Sequence, residues 1–101
     1  MTTVSVLLTL HLPGVRSLKE KRAVVGSLVA RFRSRLNLTA AEVGRQDELQ
    51  QAEVGFAVVS GDMATARRLA DEARRFADLE LLGLAEVVAT EVAETVIDLA
   101  Y

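Results

Sequence analysis

The apolar residues of this chain change their spacing along its length, from every second residue to every third or fourth and back. Between Thr2 and Leu12, Val4, Val6, Leu8, Leu10 and Leu12 share one face of an extended segment, with Thr3, Ser5, Leu7, Thr9 and His11 on the other. Such alternation marks a strand with one face in the core, and Pro13-Gly14 closes it. The period then turns helical, and Leu18, Val25, Leu28, Val29, Phe32 and Leu36 form one stripe. Ser17-Leu18-Lys19-Glu20 fits a capping box at the start of this helix, predicted over 18–36, and Asn37 is its stop. Leu38 to Val43 reads as a second strand ended by Gly44. Ala52 to Ser60 reads as a third, with Val54, Phe56 and Val58 on one face and Gly55, Ala57 and Val59 on the other. Ser60-Gly61-Asp62 has turn and cap chemistry. A second helix follows near 63–79, striped by Ala66, Leu69, Ala70, Ala73, Phe76 and Ala77. Glu86 to Ile97, rich in β-branched residues, reads as a fourth strand.

The order β-α-β-β-α-β predicts an α+β ferredoxin-like domain spanning 1–101, an antiparallel four-stranded sheet with both helices on one face. Right-handed crossovers are expected to bring each helix-linked pair of strands into parallel contact. The register of the fourth strand is ambiguous. Val88, Val92 and Val96 share a face with Thr90 and Glu94, and Val87, Ala89, Ala93 and Ile97 share the other with Glu91 and Thr95. Two helices leave the second side of the sheet open. Its expected residues, among them Leu7, Ala57 and Val59, are not strongly polar. A half-apolar open face predicts a second contact surface, and the expectation is a homo-oligomer, an isologous dimer.

The chain has no Cys and one His. This excludes a disulfide scaffold, a thiol nucleophile and Cys-based metal centres, and neither a metal nor a cofactor is expected. Val4–Leu12 is too short for a membrane helix and has no basic start, so the expected setting is cytoplasmic without membrane contact. Charge is unevenly spread. Residues 1–50 carry 8 Lys/Arg against 4 Asp/Glu, and residues 51–101 carry 4 against 10. Arg16, Lys19, Lys21, Arg22, Arg31, Arg33 and Arg35 gather on and before the first helix, with Glu20 as the one acid among them. If this helix faces solvent, the seven are candidates for binding an anion, RNA or a protein partner. The alternative is a solvated face that pairs with nearby acids. No aromatic residue stands on the first strand and only Phe56 on the third, which disfavours base stacking on the sheet. An RNA contact would then be electrostatic and salt-sensitive.

Smaller features have plain readings beside functional ones. The amides of Pro13–Ser17, with Arg16 and Lys19, could hold a phosphate at the helix N-terminus, or Ser17 simply caps it. Lys21 and Arg22 flank the apolar stripe, placed to snorkel from the core edge, with Glu42 a candidate partner for one of them. His11 reads as structural. Gln46, Asp47 and Gln50 form a candidate partner loop. Small acylphosphatases resemble the chain in size and element order. By that resemblance Arg16 would cradle phosphate and Asn37 would orient water, although the surrounding motif is only echoed by Gly14-Val15.

His11-Leu12-Pro13-Gly14, the run Ser17-Leu18-Lys19-Glu20-Lys21-Arg22, then Glu42-Val43-Gly44, Gln46-Asp47, Gln50, and Gly55 with Ala57-Val58-Val59 resemble the YlxP-like family of small bacterial proteins. The resemblance covers nearly the whole chain. It implies a ferredoxin-like domain of unknown function whose genes often lie beside those for translation initiation and ribosome-assembly factors. No catalytic residues carry over. The expected function is therefore a non-enzymatic accessory protein that contacts ribosomal RNA or a translation factor through the first helix. The rival is a self-associating scaffold that meets another protein through the sheet face or the Gln46–Gln50 loop.

Overall fold

A computed structural model describes residues 1–99, so the last two residues of the expected 1–101 span lie outside the described residues. The elements are β1 (Thr2–His11), α1 (Leu18–Leu36), β2 (Thr39–Gly44), β3 (Gln51–Ser60), α2 (Met63–Glu80) and β4 (Glu86–Val96). They build one sheet in the order β2-β3-β1-β4. Every neighbouring pair is antiparallel. The expected parallel contact between helix-linked strands does not occur. β1 and β2 run in the same direction, but β3 lies between them, and β1 likewise separates β3 from β4. Each crossover steps over one strand, which leaves space for that strand to be filled by the other half of the chain.

The two-residue period of β1 sorts the molecule. Val4, Val6, Leu8, Leu10 and Leu12 are buried with Val54, Phe56 and Val58 of β3 beneath the helices. Phe32 joins the layers, with its ring centroid 5.0 Å from that of Phe56 and 5.8 Å from that of Phe76. Each such tilted pair contributes about 0.5–1.5 kcal/mol beyond burial. α2 packs through alanines, with Ala66, Ala70, Ala73 and Ala77 buried, while Leu69 and Phe76 pack at the margin. Small side chains let the helix backbone lie close to β1 and β3.

The ambiguity of β4 is resolved by a bulge. Thr9 is opposite Ala89 and Leu10 opposite Val87, so Val88 is an extra residue. From Thr90 to Val96 the even-numbered residues lie on the helix side, and beyond the bulge Val87 takes that side instead of Val88. β2 has a similar shift between Glu42 and Gly44.

Both helix starts follow their caps. The Glu20 amide donates to Ser17 Oγ at 3.1 Å. The Glu20 carboxylate reaches one residue further back than a standard capping box and accepts from the Arg16 amide at 2.8 Å. Asn37 ends α1 in the left-handed conformation at φ 56°. At α2, Asp62 accepts from the Thr65 amide at 2.8 Å and from the Thr65 hydroxyl at 2.9 Å. Those bonds, the amide first, hold the Asp62 carboxyl below its usual pKa. A depressed folded-state pKa contributes stability that is present above the unfolded pKa of about 4 and lost as pH falls through the lower folded value. The stability deficit of Asp62→Ala, measured by thermal unfolding, should therefore be full at neutral pH and close as pH drops below about 4.

Candidate interaction surfaces

Lys21, placed by sequence among the candidate RNA-binding cations, is 1% exposed and belongs to the interior. Its position one turn into α1 aims the side chain under the β2–β3 connection. Nζ donates to the Arg45 carbonyl at 2.5 Å and the Glu48 carbonyl at 2.6 Å, and lies 3.6 Å from Glu42 Oε2. That oxygen is buried and has no hydrogen bond, so attraction to the ammonium is what offsets its lost hydration. The expected pairing with Glu42 is present, but the side chain does not snorkel to water. An ammonium has three donors and no acceptor, and here two of them organise backbone carbonyls of one loop.

The same loop is tied from its other end. Gln50 Nε2 donates to the carbonyls of Pro13 at 3.3 Å and Val15 at 3.4 Å, joining it to the β1–α1 turn. Gln46 Nε2 reaches the Glu42 carbonyl at 3.4 Å, and Asp47 is exposed. Arg45 has a positive φ of 56°. Its guanidinium bonds Glu53 at 2.9 Å, Gln51 at 2.6 Å and Glu48 at 3.3 Å. These carboxylates, Glu48 before Glu53, raise the Arg45 pKa. Two of the three candidate loop residues thus spend their amides on holding the loop's shape.

The remaining cations of α1 divide by helix face. Arg31 and Arg35 both reach Glu80 at the end of α2, Arg35 at 3.8 Å. Arg33 donates to the Ala40 carbonyl at 2.7 and 3.1 Å, which leaves its charge uncompensated. Arg16, Lys19 and Arg22 are exposed, with no ion pair among the described residues. On the helical wheel Lys19, Arg22 and Arg33 fall within about 60°, yet Lys19 and Arg33 stand about 21 Å apart along the axis. That separation exceeds the screening length of about 8 Å at physiological salt, so they act as separate charges. At the α1 N-terminus the Glu20 carboxylate already sits on the Arg16 amide, where a phosphate was a candidate. The acylphosphatase pair is not formed either, because Asn37 caps α1 two residues before β2 begins.

The side of the sheet away from the helices holds a shallow hollow of about 410 Å³. Ser5, Leu7, Ala41, Gly55, Ala57 and Ala93 give it a small-residue, largely apolar surface. Glu91 is the one titratable group that lines it. The register sets Leu7 opposite Gly55 on one side and Glu91 on the other. A Cβ built on Gly55 would meet Val43 at 3.5 Å, an ordinary contact, so the missing side chain there supplies space and not backbone freedom. His11 Nδ1 lies 3.5 Å from Glu86 Oε1 at one end of this face.

Known proteins match this arrangement over most of its length. A family described as "Protein of unknown function (DUF503)" matches residues 3–92. The chain belongs to this family. The uncharacterized protein YlxP of Bacillus subtilis (strain 168) is 34% identical over 62 residues, 61% of this chain and 67% of YlxP. Among solved structures, the cofactor-independent oxygenase SnoaB of Streptomyces nogalater has a TM-score of 0.57 at 15% identity, covering 99% of this chain and 97% of its own. A dimeric ferredoxin-like protein of unknown function from Bacteroides fragilis has a TM-score of 0.52 at 11% identity, covering 92% and 94%. These structures share the ferredoxin-like fold with the DUF503 chain. No helix of the described residues is long and apolar enough to cross a membrane.

Sequence reasoning did not single out Glu80, Arg45 or the Arg67–Glu94 pair, whose two bonds of 2.6 and 2.8 Å join α2 to β4. That pair holds the Glu94 pKa down, chiefly through the hydrogen bonds from Arg67. Breaking a buried charge contact is costly. Lys21→Met should lower the unfolding free energy by about 3 kcal/mol in denaturant titration. It should also speed amide exchange in 45–50 more than in β1; uniform protection would show that Lys21 does not hold the loop.

Proposed function

We propose that this DUF503 protein is a cytoplasmic, non-catalytic interaction scaffold that works as a homodimer, each copy covering the other's open sheet face. The observation that carries it is the small apolar hollow over Leu7, Gly55 and Ala57. Water gains little from this surface, and a flat partner of the same shape fits it by two-fold symmetry. The dimeric protein of ferredoxin-like fold from Bacteroides fragilis supports only that a chain of this fold can be a dimer. Four strands at about 4.8 Å spacing and some 27 Å of mean length offer about 500 Å² per copy. The roughly 1,000 Å² buried in total is at the small end for a specific interface, so dissociation is expected in the micromolar range. Sedimentation should show a dimer at high micromolar concentration. Ala57→Arg, which sets a charge in the hollow, should sediment as a folded monomer. Wild-type protein that remains monomeric overturns the proposal.

A second reading rests on the cations that α1 leaves without acids. Arg16, Lys19, Arg22 and Arg33 would touch an anionic partner such as ribosomal RNA or a translation factor. Their spacing makes this a weak contact that a few hundred millimolar salt abolishes. Co-sedimentation with ribosomal particles that survives such salt, or that Arg22→Glu with Arg33→Glu leaves unchanged, removes this reading.

A further inference from the structure

Among the described residues β4 ends the sheet, and only one of its edges is paired. Its eleven residues make it longer than the opposite edge strand β2, which has six and is broken by a register shift near its end. Long edge strands are normally blunted by Lys, Pro or bulges. β4 contains no Lys, Arg or Pro, and its one bulge lies near its start, at Val88. From Ala89 to Val96 a regular row of backbone donors and acceptors is left for another strand.

The surroundings of this edge specify chemistry on both sides. α2 lies over β1 and β3 and reaches β4 through the Arg67–Glu94 pair. On the helix side Val92 and Val96 therefore stay 48% and 56% exposed. Between α2 and β4 lies a groove of about 160 Å³ with an apolar floor of Val4, Val6, Ala70 and Val92 and a charged rim of Arg67, Asp71, Arg74 and Glu94. On the opposite side of the sheet β4 presents Glu91 and, at its start, Glu86. Asp98 follows, and no basic residue occurs after Arg75.

We propose that the free edge of β4 captures an extended peptide in which apolar β-branched residues alternate with Lys or Arg, added as a fifth strand. Main-chain hydrogen bonds along Ala89–Val96 supply affinity that is blind to sequence, and the alternate side chains supply selection. Apolar residues of the incoming strand lie beside Val92 and Val96 and lean into the groove against α2. Basic residues fall on the other side, next to Glu91, where opposite charges on neighbouring strands stabilise the pairing. A second copy of β4 contains no Lys or Arg, so self-pairing at this edge lacks the charge complement that a basic strand brings to Glu91. The edge and the open-face hollow share Glu91, so peptide binding is measured in the monomeric Ala57→Arg background and the inference does not rest on the sheet-face dimer.

Three fluorescent peptides of about ten residues, long enough to run the regular part of the edge, test this. One alternates Val and Lys, one has the same composition in two blocks, and one alternates Val and Glu. By anisotropy, the alternating basic peptide should bind at least about tenfold tighter than either control, a difference of about 1.4 kcal/mol. Amide shifts should concentrate in residues 89–96, and in the Ala57→Arg background, where the sheet-face dimer is absent, Glu91→Lys should weaken binding several-fold. Equal binding of the block peptide would mean charge attraction alone and overturns the proposal. Shifts centred on α1 or on Gly55 and Ala57 also overturn it. So does a disulfide-linked dimer of Val92→Cys formed at low protein concentration in the Ala57→Arg background, because a second copy would then occupy the edge.

Discussion

β1 lies inside the sheet, hydrogen-bonded to β3 on one side and to β4 on the other, and its alternation divides the molecule into a dry half and an open half. The even-numbered side chains from Val4 to Leu12 are buried on the helix side of the sheet, and among the described residues no element lies over Ser5, Leu7 or Thr9. Here the helical roof is set to one side, with α1 over β2 and β3 and α2 over β1 and β3. β4 is left outside that roof, and so is the entire opposite face. The two surfaces argued to bind partners are consequences of this shortage of covering elements, since exposed apolar area has to be tolerated or met by another molecule.

The buried ammonium of Lys21 is a different kind of constraint. Apolar packing does not specify the shape of the β2–β3 connection, because its residues from Arg45 to Gln50 are exposed. Two carbonyls drawn to one cation do specify it. The cost is a desolvated charge, offset by a neighbouring carboxylate and by hydrogen bonds, and replacing one member leaves the others buried without a partner. A motif that reads as a surface basic run in the sequence therefore has an internal role at its centre.

Periodicity made the fold legible. The strand and helix spans read from Val4–Leu12, Leu18–Leu36 and Val54–Val58 fall within a residue or two of the observed elements, and Ser17, Asn37 and Asp62 cap as their chemistry suggests. Two errors have physical causes. Parallel contact was expected because a crossover does join parallel strands, but a strand from elsewhere in the chain can be inserted between them. The two-residue period groups Val87 with Ala89 and Ala93, whereas the bulge, which leaves no mark in β-branched sequence, shifts that period and sets Val87 on the other face. The charged residues were less legible. Lys21 and Arg22 are adjacent and alike in type, yet a helix turns them about 100° apart, one inward and one outward. The pairing of Arg31 and Arg35 with Glu80 depends on how α2 ends beside α1, which no local pattern encodes. The backbone edge of β4 was invisible for a simpler reason: strand order is a property of the assembled sheet.

The single Glu80 carboxylate held between Arg31 and Arg35 gives the helical layer an electrostatic lever. One negative group at the tail of α2 masks two positive ones on its neighbour. Any event that withdraws that group, whether a shift of the α2 terminus or a competing cation, takes the cluster from a net +1 to +2 and unmasks both arginines together, so the potential above the helices answers to the position of α2.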